Sequence, residues 1–117
     1  MAVPQNFDEL ITQASSENLY VKLVRQLNKD FLLANIDLDF EEDILPTSLK
    51  YMLQDIVFKL IQERFSEYLN VLYIVDVPEQ KVKQLDGSDI AELSEQVTFL
   101  ILQREWQKVW YKDTYRS

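Results

Sequence analysis

The stretch SDIAELSEQVTFLILQREWQKVWYK, residues 88–112, reads as one long helix. Apolar residues recur through it at three- and four-residue intervals, the spacing that gathers side chains on one helical face. Ser88 and Asp89 are N-cap residue types, and Asp86-Gly87 before them marks a turn. Asp89, Glu92 and Glu95 stand at the start, and Arg104, Lys108 and Lys112 stand near the end. That order complements a helix macrodipole. On a helical wheel the segment carries two apolar stripes rather than one. Ile90, Leu93, Val97, Leu100 and Ile101 form the first, and Phe99, Leu102, Trp106, Val109 and Trp110 form the second on the far side.

Working towards the N-terminus, the same pattern returns. A helix is expected from about Pro46 or Thr47 to Val75, because proline suits a first turn and Pro78 disfavours helical geometry at Val77. Its length would be roughly 40 Å at the α-helical rise. Leu49, Met52, Leu53, Ile56, Val57 and Leu60 lie on one side, and Tyr51, Phe58, Ile61, Phe65, Leu69 and Leu72 on the other. Asp76-Val77-Pro78-Glu79 has the spacing of a capping box and predicts a short helix over about 78–85. The segment from about Phe7 to Asn35 is helical in pattern, with Asn6 and Glu9 as a capping pair and Ser15-Ser16 as a point of interruption. Tyr20, Leu23, Val24, Leu27 and Phe31 mark its core face. Between the two long patterns, Ile36, Leu38 and Phe40 alternate with Asp37, Asp39 and Glu41. A lone strand would have no partner, so this is read as an extended loop pinned by its apolar side chains.

These elements predict an all-α fold: one helical domain over residues 1–117, a compact antiparallel bundle of three long helices with one or two short ones. The 117 residues, 47% of them hydrophobic, suffice for a core without staples. Neither cysteine nor histidine occurs. Disulfide frameworks, thiolate nucleophiles, Ser-His-Asp catalysis and Glu-x-x-His di-iron sites are therefore excluded within the chain. A net charge of −8 disfavours binding to nucleic acid or anionic membranes, since phosphates call for a basic face. Unbroken apolar runs such as Phe99–Leu102 are far too short for a membrane span. With no basic n-region or apolar h-region near Met1, the expected location is cytoplasmic.

No motif names a reaction, and no cofactor is expected. The acidic run Asp37–Asp43 departs from a calcium loop, with Glu42 where glycine is needed and Ser48 where the final glutamate belongs. Glu63 with Glu67, and Glu92 with Glu95, are helical carboxylate pairs that would suit a Mg²⁺-dependent hydrolase if they converged. The alternative function is therefore that of a small-molecule binder or Mg²⁺-dependent hydrolase with its site between helices, lined by Tyr68, Tyr73 and these glutamates. The basic, aromatic run Arg104–Lys112 could stack single-stranded nucleic acid, but dipole complementarity and burial of Trp106 explain it more simply.

The doubled stripes point to contact. Either both faces of each helix are internal core, or one face meets a second copy or another protein. The interface candidates are Tyr51, Phe58 and Phe65 on the central helix, and Phe99, Leu102, Trp106, Val109 and Trp110 on the last. The function expected is that of a small helical interaction protein that self-associates, a homodimer being the simplest form.

Overall fold

The computed structural model describes residues 2–115. It is all-helical, with no strand among the described residues. Six helices follow one another: α1 Phe7–Ser16, α2 Tyr20–Leu33, α3 Pro46–Glu63, α4 Phe65–Val75, α5 Glu79–Lys83 and α6 Ile90–Tyr115. The radius of gyration is 13.5 Å, close to the roughly 13 Å expected for a compact chain of this size.

Helix α6, at 26 residues, is the axis of the fold. It packs most extensively on α3 and also touches α1, α2 and α4. A helix surrounded on several sides must be apolar on several sides, which accounts for its two stripes. Val97 and Ile101 of the first stripe are buried, and so are Leu102, Trp106 and Val109 of the second. The Trp106 ring is fully enclosed, and its Nε1 donates to Gln13 Oε1 of α1 at 3.0 Å.

The two other long patterns are each divided. The first breaks where Ser15-Ser16 stands: α1 closes at Ser16, and Asn18 takes a left-handed conformation, φ 57°. The second breaks at Arg64, φ −140° and ψ 58°, so the expected single helix of 46–75 is two. The break re-aims α4, whose Tyr68, Val71 and Val75 are buried while it contacts α2 and α6 as well as α3. A straight rod would not lie against three neighbours in this way.

Three helices end by one device. Asn18, Asn35 and Asp76 all have positive φ just past a helix end. The following residues, Leu19, Ile36 and Val77, donate their backbone N–H to Ala14, Phe31 and Leu72 carbonyls and bury their side chains. This is the Schellman arrangement, in which glycine usually supplies the left-handed residue. The chain has one glycine, and Asn and Asp take its place because they tolerate this geometry best among other residues. The expected capping box at Asp76 is accordingly absent. Asp76 closes α4 instead, Pro78 precedes α5 without a side-chain cap, and the Asp76 carboxylate pairs with Arg104 Nη2 at 3.0 Å.

Asn6 and Asp89 cap as their positions suggest. Asn6 Oδ1 accepts from Glu9 N at 2.8 Å, and Asp89 Oδ1 accepts from Ala91 N at 3.0 Å. The loop 36–45 forms no strand, and it is not extended throughout: Asp39 takes a left-handed φ of 50°, and residues 42–43 form a turn closed by Ile44 N–H on the Glu41 carbonyl at 3.0 Å. Ile36 and Phe40 are buried between exposed Asp37, Asp39 and Glu41. The Asn28 side chain holds Phe40 by both backbone groups, at 2.9 and 3.1 Å, in place of a partner strand.

Candidate functional site

The interface candidates divide into two groups. On α6, Leu102, Trp106 and Val109 lie in the core, at 1%, 0% and 4% exposure, and Phe99 and Trp110 are half-buried against it. The core of that stripe, Leu102, Trp106 and Val109, is occupied within the chain, and Phe99 and Trp110 keep part of their surface open. On α3 and α4 the opposite holds. Tyr51 is 60% exposed, Phe65 55%, Leu69 50% and Tyr73 85%, with Met52 also open. Phe58, Ile61 and Leu72 are half-buried.

Residues 65, 69 and 73 follow the i, i+4, i+8 rule, so their side chains stack in one line over about 12 Å of helix. The buried line of α4, at 68, 71 and 75, points the other way. Across the eleven residues of α4 the one charged side chain is Glu67, which is paired with Arg64. The exposed line therefore presents Phe65, Leu69 and Tyr73 with only Ser66 and Asn70 beside them as fully exposed polar groups.

The carboxylates do not converge. Glu63 and Glu67 belong to the α3–α4 junction, while Glu92 and Glu95 border a groove on the first half of α6. Among the described residues no group of three or more acidic side chains is placed to hold a metal ion. Tyr68 is buried and Tyr73 is open to solvent, on different sides of α4, so the two do not line one site.

The most unusual chemistry was not foreseen from the sequence. Glu105 is completely buried, Asp30 nearly so, and Lys108 largely so. Lys108 Nζ lies 2.6 Å from Asp30 Oδ2 and 2.7 Å from Glu105 Oε1. Gln26 Nε2 donates to both Asp30 oxygens at 3.1 Å. The approach of Lys108 to Glu105 is close but poorly directed, and neither Glu105 oxygen has a donor aligned on it. Burial, with the neighbouring Asp30 carboxylate, pushes the Glu105 carboxyl up to about 9. Protonated, it donates to Asp30. Burial alone would raise Asp30, but hydrogen bonds from Glu105, Lys108 and Gln26 outweigh it and hold Asp30 below the usual carboxylate range. Burial would lower Lys108, and its two acidic partners reverse that and raise it. At neutral pH the cluster is thus one acid, one carboxylate and one ammonium, with no net charge. It joins α2 to α6 in a setting where an unpaired charge would be costly.

The spacing of Glu105 and Lys108, i and i+3 on a helix start-to-end gradient, reads from sequence as an ordinary surface pair. The signal that could have exposed it is position: Glu105 precedes Trp106 and follows Ile101 by four, on the buried side of the wheel.

No protein-family model matches the chain, and neither the curated proteins nor the solved structures contain a match. The reading of function therefore rests on geometry. Among the described residues no helix is long and apolar enough to cross a membrane.

Proposed function

We infer that the protein acts by contact, as a helical interaction module that associates with a second copy of itself through the outer face of α4. The observation that carries this reading is the line Phe65, Leu69 and Tyr73, half or more exposed on a helix whose one charge is already paired. An uncharged apolar face gains by meeting another apolar face and has no electrostatic means of selecting a charged one. In a two-fold dimer the same face is presented by both copies, so a self-complementary line of this kind suffices.

Sedimentation velocity across a concentration series tests the reading. A sedimentation coefficient that rises with concentration, and ceases to do so in Phe65→Ser/Leu69→Ser, supports it. A strict monomer at high micromolar concentration overturns it.

The buried cluster is assigned a structural part in this reading. Glu105 is fully buried, and the two carboxyls of the cluster are committed to Lys108 and to each other.

A further inference from the structure

A groove on the molecule lies away from α4. Its volume is about 550 Å³, within the range of ligand pockets, and it lies between the start of α1, the first half of α3 and the first half of α6. Phe7, Leu85, Phe99, Leu100 and Leu102 supply its apolar lining. Asp8, Glu92 and Glu95 stand along it, and none of the three has an ion-pair partner among the described residues. Gln96 adds an Oε1 that is buried and receives no hydrogen bond.

One cation already sits in the groove. Lys50 Nζ lies 5.3 Å from the centre of the Phe7 ring and 5.5 Å from that of Tyr51, without a carboxylate partner among the described residues. Against three carboxylates this leaves the groove with an excess of two negative charges. Aromatic faces, unpaired carboxylates and an acceptor lacking a donor all favour a ligand that brings cations beside an apolar surface.

The walls are built rather than loose. The buried Gln103 amide donates to the Pro4 carbonyl at 2.7 Å, tying the N-terminal segment to α6. Glu9 Oε2 accepts from Gln5 N, and Asn6 caps α1, which fixes the backbone that carries Phe7 and Asp8. Lys81 Nζ bonds Gln103 Oε1 at 3.4 Å and brings the α5 segment with Leu85 towards the same place.

We propose that this groove docks a basic amphipathic segment of a partner protein, with apolar side chains laid over Phe7, Phe99 and Leu100 and Lys or Arg side chains paired with Asp8, Glu92 and Glu95. The site is separate from the α4 face, so it stands or falls independently of self-association.

The test is a ¹H–¹⁵N chemical-shift titration of the full chain with a synthetic Lys/Leu peptide of helical amphipathic spacing. The same peptide with Glu for Lys serves as one control and butylamine as another. The expected result is shifts confined to Phe7, Lys50, Gln96, Phe99 and their neighbours, with binding about tenfold weaker in Glu92→Gln/Glu95→Gln. Glu63→Gln/Glu79→Gln, which removes the same charge elsewhere, should leave affinity unchanged. Equal weakening by both double variants overturns the proposal, as do shifts spread over the surface. Binding of butylamine as strong as that of the Lys/Leu peptide also overturns it, because the groove would then recognise an amine and not a segment.

Discussion

Helices α4 and α6 carry aromatic and aliphatic side chains at the same spacing, yet the two stripes have opposite fates. Leu102, Trp106 and Val109 are covered, with Phe99 and Trp110 half-buried beside them, because α6 runs through the middle of the fold against α1, α2, α3 and α4. Phe65, Leu69 and Tyr73 are left open because α4 lies at the outside, with its neighbours on one side alone. The composition of a stripe says that a face must be covered. Whether the chain itself covers it depends on where the helix sits.

Substitutions can break this contrast, and the largest effect belongs to the interior. Trp106→Ala should cost about 3–5 kcal/mol, since it empties the largest core site and leaves Gln13 without its donor. Chemical denaturation followed by circular dichroism would measure it, and a loss under about 1 kcal/mol would mean that the α6 stripe is not the core.

Next comes the charged cluster behind that stripe. Lys108→Ala removes the cation shared by Asp30 and Glu105 and should destabilise by about 3 kcal/mol, the usual result of breaking a buried pair by one partner.

Glu105 gives a prediction in pH. Its carboxyl is raised on folding to about 9, so the folded state binds this proton more tightly than the unfolded state. The stability it contributes is complete below the ordinary glutamate range and is lost as pH rises towards 9. The chain has no histidine to titrate between these limits. Stability should therefore fall between pH 6 and pH 9, and Glu105→Gln should flatten the fall, because its amide can donate to Asp30 without titrating. Urea midpoints at several pH values decide this; parallel slopes for the two proteins would mean that Glu105 is ionised in the fold.

The smallest expected effect is a gain. Asn35 holds φ 66° at the end of α2. Asn35→Gly should raise stability by a few tenths to about 1 kcal/mol, since glycine takes this conformation without strain. A loss would show that the Asn35 side chain contributes beyond its backbone geometry.

The helical class was legible because the signals were local and concordant. Apolar spacing, Asn6 and Asp89 as caps, and Pro46 at a first turn all agreed on helices, and the alternating Ile36, Leu38 and Phe40 marked the non-helical connection between α2 and α3, though not the left-handed Asp39 or the turn at 42–43 within it. The break at Arg64 was not legible, since no proline or glycine stands there and the residues on both sides keep helical spacing. It is imposed by packing. The left-handed ends at Asn18, Asn35 and Asp76 could have been read from a repeated pattern, an Asn or Asp followed by a buried aliphatic residue. Of the candidate surface, the sequence showed that two stripes exist on the 46–75 and 88–112 patterns but not which would be covered. That choice follows from the order in which helices surround α6. The Asp30–Glu105–Lys108 cluster joins residues 75 or more positions apart across α2 and α6, and nothing local signals it.

The contrast between the covered and the open stripe is tested most directly by distances between copies. The chain lacks cysteine, so one spin label can be placed at will. On Asn70→Cys, beside the open line of α4, dipolar spectroscopy should give a narrow distance between two copies, because a two-fold axis brings the same position of each copy together. On Lys83→Cys, in α5, the signal between copies should be weaker and broader. No dipolar coupling from Asn70→Cys, or a narrow distance from Lys83→Cys alone, would contradict the proposal that two copies associate through the α4 face.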